Sequence, residues 1–350
     1  MHQSIEGISI EAIAACVPKQ IIDNSQFEDL LSAKEIRKFE KITGIKKRRF
    51  ASQSTTASDL GFEAANKILK DFKCEKDIKA LIFLSQTSDY KIPFTSNILQ
   101  DRLGLSSDIL CLDINAGCAG FVQGLSVSFS ILSSLAEGKV LFIVAETLSK
   151  ITSKKDKATS MLFGDGASAI LIGRKSNAKA LFNFYSDGAN YDAIKIEDGG
   201  YRNPFNENSL KETKDELGNI KSKSQLFMDG PKVFDFTLRE IVPSIENLLN
   251  KYLMDIDSID YFLFHQANRF IINQLASKLG ISMDKVPINI DEFGNTSGVS
   301  IPLLIVTNKE GFEMNSNRNF TFVGYGSGLT WGVCSMQMDK SVKIFDLLEV

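Results

Sequence analysis

Short apolar, β-branched runs alternate along the chain with stretches whose apolar residues recur at helical spacing. Residues 4–16 alternate as a first strand would, and a turn follows at Pro18. Short helices are predicted over 24–31 and 33–42, and a longer one over 58–72, where Leu60, Phe62, Ala65, Ile68 and Leu69 share one face. A buried strand over 78–84 ends in the polar run Ser85-Gln86-Thr87-Ser88-Asp89. Pro93 then opens a helix to Leu103, closed by Gly104. A strand over 109–115, a helix over 121–135, and strands over 140–145 and 168–172 complete the first half. Later, 233–253 reads as a helix with a kink at Pro243. Helices alternating with short strands imply an α/β fold with largely parallel pairing.

The second half repeats the first. Leu99-Gln-Asp-Arg-Leu103-Gly104-Leu105 is answered by Leu275-Ala-Ser-Lys-Leu279-Gly280-Ile281, 176 residues on. The strand end Ile82-Phe83-Leu84-Ser85-Gln86 is answered by Phe262-Leu263-Phe264-His265-Gln266, 180 on, and Gly117-Cys118 by Gly294-Asn295, 177 on. Each glycine turn is expected to follow a strand, 109–115 in one half and 286–290 in the other. Apolar runs can match by coincidence, but three matches at near-constant offset favour a duplication. Two halves, 1–174 and 175–350, would then pack with pseudo-two-fold symmetry and bring equivalent loops to one cleft. The polar stretch near 186–224, rich in Gly, Asn, Lys and Glu, breaks the symmetry and is expected as a mobile insertion over the entrance.

Composition narrows the chemistry. With 350 residues, 43% of them hydrophobic, the chain can bury two domains' worth of core. A net charge of −3 gives no reason to expect nucleic acid or an anionic membrane as partner, and no apolar run reaches membrane-spanning length. Five dispersed cysteines without a C-x-x-C pair suit a reducing cytoplasm. The two histidines, His2 near the terminus and His265, leave any imidazole chemistry to His265 and make a clustered metal site implausible. The basic run Thr43-Gly44-Ile45-Lys46-Lys47-Arg48-Arg49-Phe50 reads as a solvated turn, or as a docking patch for an acidic partner or phosphates.

Cys118 carries the chemistry. It lies between a strand and a helix and is bracketed by Gly117 and Gly120, which allow a sharp turn and close approach to a ligand. A thiol there feels the positive end of the helix dipole, which lowers its pKa. The alternative is a small apolar residue packed at a junction. His265 and Asn295, at strand-end positions like that of Cys118, supply an imidazole and an amide. The glycines of 324–332 suit a loop whose backbone N–H groups point into a site, or else a flexible hairpin.

These residues resemble the thiolase superfamily, and within it the β-ketoacyl-[acyl carrier protein] synthase III family. The resemblance spans almost the whole chain. Its motifs, in family order, are Thr43-Gly44-Ile45, Gly117-Cys118-Ala119-Gly120-Phe121, Phe163-Gly164-Asp165-Gly166-Ala167, His265-Gln266-Ala267-Asn268, Gly294-Asn295-Thr296-Ser297 and Gly326-Ser327-Gly328-Leu329-Thr330-Trp331-Gly332. It implies a duplicated fold layered α-β-α-β-α. Within the superfamily, elongating synthases use Cys-His-His and thiolases a second Cys in the C-terminal glycine loop, where this chain has Ser327. Cys-His-Asn remains, as in synthase III and the chalcone synthase-like enzymes.

The resemblance further implies a ping-pong reaction. Cys118 takes an acyl group from an acyl-CoA or acyl-carrier-protein donor, and the backbone N–H groups of Cys118 and Ser327 form the oxyanion hole. His265 and Asn295 then stabilise the enolate formed as malonyl-[acyl carrier protein] loses carbon dioxide, and no cofactor or metal is required. Substrate contacts are expected from Ile92, Lys157, Asn268, Phe270 and Gly326, in a homodimer. Lys38 and Lys157 stand where relatives hold an adenine between Trp and Arg, and neither can stack. Arg269 is displaced by one from an expected basic position now held by Phe270. Asp235 stands at a carrier-docking Lys position, and Ile92 where a Phe often limits the primer pocket. Together these departures imply a larger or unusual acyl donor, delivered on a carrier protein, in a specialised pathway. The alternatives are a non-decarboxylating acyltransferase acting on an amine or hydroxyl, and an inactive partner subunit.

Overall fold

The computed structural model describes residues 1–216, 218–312 and 314–350. It opens with β1 (His2–Val17), β2 (Ile21–Asp23), α1 (Ala33–Thr43), β3 (Lys47–Arg49) and α2 (Ala57–Phe72). Next come β4 (Ile78–Leu84), α3 (Thr95–Arg102), β5 (Leu110–Ile114), α4 (Gly120–Ser134), β6 (Lys139–Glu146) and β7 (Gly166–Ser186). The short strands β8 (Ile194–Ile196), β9 (Thr213–Lys214), β10 (Ile220–Lys221) and β11 (Leu226–Met228) lead to α5 (Gly230–Lys251). Beyond it lie β12 (Tyr261–Phe264), α6 (Arg269–Leu279), the single turn α7 (Ile290–Phe293), α8 (Ser300–Thr307), β13 (Arg318–Gly326), β14 (Thr330–Met338), β15 (Lys343–Ile344) and β16 (Leu348–Glu349).

Two long strands hold the layers together. The first part of β7 pairs with β6 (Gly166 to Ile172), its last part with β14 (Ala180 to Ser186), and β1 runs antiparallel along both. On one side β6, β4 and β5 continue the sheet; on the other β14, β13 and β12 do. β7 turns between the two parts at the exposed residues 174–177, where Asn177 has φ 67°. The expected boundary at 174/175 therefore falls inside one strand. Helices α2 and α4 cover opposite faces of the first sheet, α2 against Leu81, Phe83 and Ile143, α4 against Ile82, Leu84 and Phe142.

Pairing is mixed rather than largely parallel: β4 is parallel to β5 and β6, and β12 to β13, whereas β7 is antiparallel to β1, β6 and β14. The strand expected over 168–172 runs on to Ser186 because Ala180, Leu181 and Phe182 find partners on β14, 152 to 156 residues later in the chain. The strand expected over 286–290 does not form. Pro287 has no N–H to give a ladder, the Asn289 N–H goes to the Gln266 side chain, and Asp291 and Glu292 sit in the first turn of α7.

The basic run at 46–49 is also not a solvated turn. Lys47–Arg49 is strand, and Arg48 is fully buried, donating to Ile22 O, Asn24 Oδ1 and Met161 O. Burial lowers its pKa to about 10, which still leaves a cation inside the wall of the fold. Helix 24–31 is reduced to one 3-10 turn over Asn24–Phe27. α3 begins at Thr95 rather than Pro93, because Asp113 on β5 accepts from the N–H groups of Thr95 and Ser96 and caps the helix there. The polar stretch after Ser186 is not featureless: β8 pairs with β11, β9 with β10, and Asp198 accepts from the buried Ser209 hydroxyl. α5 passes through Pro243 as one helix.

Candidate active site

The two wings of the ten-stranded sheet deliver their loops to one cavity of about 220 Å3 lined by Cys118, His265, Asn295, Ser297, Gly326 and Ser327. Cys118 sits two residues before α4, in a turn closed by the Gly120 N–H on Gly117 O at 2.7 Å. β13 lies directly over that turn. A Cβ at Gly326 would come within 2.6 Å of the Cys118 Cβ and 3.1 Å of its Sγ, so only glycine lets the strand pass. The 327–329 tip is not free either: Leu329 and Asp187 exchange backbone hydrogen bonds of 2.8 and 2.9 Å. Among the described residues, the N–H groups of Cys118 and Ser327 reach no carbonyl, carboxylate or hydroxyl acceptor.

His265 follows β12, its N–H on Val323 O at 2.8 Å. Tyr325 packs edge-on against the ring at 5.3 Å and donates to the His265 carbonyl. Ser300 Oγ lies 2.8 Å from Nδ1 and also accepts the Gln266 N–H. Asn295 is held by the segment around Phe163: its N–H donates to Leu162 O and its carbonyl accepts from Gly164 N–H. Its Oδ1 accepts the Ser297 N–H at 2.8 Å, which leaves the amide NH2 as the group free to donate. Ser297 adopts φ 54°, a left-handed conformation uncommon for a residue with a side chain, and its hydroxyl is 3.6 Å from the Cys118 sulfur.

Electrostatics correct one expectation. A helix dipole contributes at most about 2 kcal/mol, which at about 1.4 kcal/mol per pKa unit is less than the opposing cost of burial. Burial pushes the Cys118 thiol from 9.0 up to about 12, with the Ser297 hydroxyl only partly offsetting it. Burial also pushes His265 down to about 3, so its imidazole is neutral. The resting pair is thiol and imidazole, not an ion pair. Alkylation of Cys118 by iodoacetamide should therefore climb about tenfold per pH unit from pH 7 to 9, as the thiolate fraction does below its pKa. A plateau beginning near pH 7 would contradict this.

The remaining wall is apolar, with Leu148, Leu162, Phe163, Leu226, Phe234 and Ile271 around the polar centre. Asn268 lines the cavity and caps α6 through its side chain. Three expected substrate contacts do not line it. Ile92 is 80% exposed on the loop before α3. Lys157 is bound to Glu35 at 3.1 Å. Phe270 faces outward and stacks on Phe234 at 5.9 Å.

Sequence reasoning missed Gln86 and Glu146. Gln86 Nε2 donates to Ser327 Oγ, and the buried Glu146 carboxylate accepts the Gln86 N–H and the Thr87 and Ser85 hydroxyls. Burial raises Glu146 to about 8. The duplication held the signal for Gln86, which occupies the place that Gln266 holds beside His265.

Two family descriptions match the chain: 3-oxoacyl-[acyl-carrier-protein] synthase III over residues 112–188, and the C-terminal region of the same synthase over 249–338. A β-ketoacyl-[acyl-carrier-protein] synthase III of Streptococcus mutans is 34% identical, over 92% of this chain and 97% of its own length. That of Staphylococcus saprophyticus is 31% identical, over 95% and 99%. The crystal structure of a 3-oxoacyl-(acyl-carrier protein) synthase from Burkholderia xenovorans superposes with a TM-score of 0.92 at 34% identity, covering 100% of this chain and 99% of that one.

Proposed function

The chain belongs to the 3-oxoacyl-[acyl-carrier-protein] synthase III family and is a condensing acyltransferase, and from that premise we propose how its own residues divide the reaction. The observation that carries the reading is the convergence of a thiol, a neutral imidazole and an oriented amide on one apolar cavity.

In the first half-reaction Cys118 attacks the donor thioester. Its sulfur bonds to the acyl carbon, the C–S bond to the donor breaks, and the thiol proton ends on the departing thiol. The N–H groups of Cys118 and Ser327, without protein acceptors among the described residues, suit the tetrahedral oxyanion. In the second half-reaction the malonyl thioester oxygen lies between Asn295 Nδ2 and His265 Nε2. Ser300 Oγ accepts from Gln266 N–H, and giving its proton to Nδ1 leaves the hydrogen on Nε2, where an enolate oxygen needs it. Carbon dioxide leaves, and the carbanion attacks the acyl carbon on Cys118. The sulfur departs as thiolate and takes a proton from solvent water, releasing a β-ketoacyl-carrier protein.

Carrier-bound donors fit this chain better than acyl-CoA, because Lys38 cannot stack and Lys157 is occupied by Glu35. The lining Asn295 disfavours simple transfer to an amine or hydroxyl, and the retained Cys118 disfavours an inactive subunit. A homodimer is supported by the open edge of β5, where Leu110 is 49% accessible, and by the exposed apolar residues Tyr90, Ile92 and Phe94 on the loop after β4. No described helix is long and apolar enough to cross a membrane.

Intact-protein mass after incubation with acetyl-CoA, medium-chain acyl-CoA and acyl-carrier-protein donors tests the reading. An adduct from longer or carrier-bound donors, discharged by malonyl-carrier protein, is expected. No adduct from any donor, with Cys118 reduced, would count against it.

A further inference from the structure

Cys118 rests as a thiol, and the imidazole is not placed to deprotonate it. His265 is neutral, its Nδ1 meets Ser300 Oγ, and among the described residues no hydrogen bond joins the ring to the sulfur. The side chain that does touch the sulfur is Ser297, whose Oγ accepts from Cys118 Sγ at 3.6 Å. Four hydroxyl side chains line the cavity, and the other three are engaged elsewhere. Thr237 donates to Val233 O, Tyr325 donates to His265 O, and Ser327 Oγ accepts from Gln86 Nε2. Among the described residues Ser297 Oγ has no partner but the thiol, so its own proton is uncommitted.

Ser297 is held there against its own preference. It is 1% exposed and sits at φ 54°, where a glycine would be easier. Its N–H donates to Asn295 Oδ1, and its carbonyl accepts the Ser300 N–H. The next residue, Gly298, lies so close to the Cys118 turn that a Cβ would come within 2.9 Å of Gly117 O. The turn that carries the hydroxyl is therefore pressed onto the turn that carries the sulfur. A side chain kept in the left-handed region, buried and aimed at a nucleophile points to a task for the hydroxyl itself.

We propose that the Ser297 hydroxyl is a catalytic residue of acyl transfer, relaying the thiol proton of Cys118 to the sulfur of the departing donor. This rests on the condensing reading above. As Cys118 Sγ bonds to the acyl carbon, its S–H bond breaks and the proton passes to Ser297 Oγ. Ser297 gives its own hydroxyl proton to the donor sulfur as the carbon–sulfur bond to the donor breaks. The serine ends neutral, one proton exchanged for another, and no free thiolate forms in this half-reaction. General acid–base transfer of this kind contributes about 10²–10⁴ in rate. It serves only an electrophile whose leaving atom takes up a proton. Iodide does not, so alkylation still waits for the thiolate.

The test follows single-turnover acylation of wild type, Ser297→Ala and Ser297→Gly by acetyl-CoA, octanoyl-CoA and octanoyl-carrier protein, from pH 7 to 9. Glycine suits φ 54° and keeps the backbone N–H, so it removes the hydroxyl without adding strain. Iodoacetamide alkylation of the same three proteins is the reference. The titratable groups around the sulfur are Glu146 at the end of β6, His265 after β12 and Tyr325 on β13, and they act on both reactions alike. Both variants should acylate at least about a hundredfold more slowly than wild type at pH 7. Wild-type acylation should change less than about threefold across the range, while that of the variants climbs about tenfold per pH unit, in step with alkylation. Decarboxylation of malonyl-carrier protein should lose far less than acylation, because the Ser297 group that orients Asn295 is backbone. Acylation of Ser297→Gly within about threefold of wild type would overturn the proposal. So would a loss in which wild type and variants share one pH slope, since the hydroxyl would then only shape the site, or a loss of decarboxylation equal to that of acylation. If wild type takes no acyl group from any of the three donors, the condensing reading fails and the relay with it. Adducts that form on wild type and both variants at one rate fail the relay alone.

Discussion

Replacing Cys118 with alanine should end condensation, by at least about ten-thousandfold, while malonyl-carrier protein still loses carbon dioxide in the same cavity. The sulfur is the only nucleophile among the cavity-lining side chains we assign to the acyl step, and its loss leaves the Ser297 hydroxyl without its 3.6 Å partner. Nothing else at the centre depends on it. Asn295 is oriented by the Ser297 N–H, and His265 by Ser300. The two functions should therefore come apart: no mass adduct from any acyl donor, but carbon dioxide release from labelled malonyl-carrier protein within about tenfold of wild type. An adduct on the alanine variant would remove Cys118 from its role. Loss of decarboxylation equal to the loss of condensation would show that thiol, imidazole and amide are not separable.

Asn295→Ala should produce the opposite split. Removing one preorganised donor from a developing oxyanion costs about 10²–10³ in rate, so decarboxylation and condensation should fall by that factor. Acyl transfer to Cys118 relies on other N–H groups and should stay within about threefold. The alanine also leaves the Ser297 N–H without its acceptor, at a residue already in the left-handed region. Asn295→Asp discriminates between the two losses. It keeps an acceptor for Ser297 but places a carboxylate where the enolate forms, and it should decarboxylate no faster than the alanine variant. Condensation by Asn295→Ala within threefold of wild type would sink the role.

Cys118, His265, Asn295 and the glycine loop around Ser327 were legible in the sequence because each sits in a short local motif and because the duplication ties three of them to one cleft. What escaped depends on residues far apart in the chain. Lys46-Lys47-Arg48-Arg49 has the composition of a surface turn. Arg48 is inside because Asn24 and, 113 residues away, Met161 supply its acceptors. Residues 286–290 alternate like a strand, but Gln266 takes the N–H a ladder would need. The helix dipole at Cys118 is a local effect that sequence reveals. The opposing burial comes from walls drawn from segments spread between Gln86 and Ser327, and it dominates.

The joint role of β7 has a consequence for biosynthesis. When the ribosome has made residue 186, β1 and β6 are available to β7, but the edge of residues 180–186 waits for β14, whose last pairing residue is Met336. At about 5–20 residues per second, that edge stays unpaired for roughly 7–30 s, with Leu181, Phe182, Phe184 and Tyr185 along it. A nascent chain caught in that window presents an apolar strand edge to its neighbours on the polysome. The link that joins the two halves at one site thus also makes the completion of the sheet late. Slowing translation between 186 and 336 should lower soluble yield without touching a single contact of the finished fold.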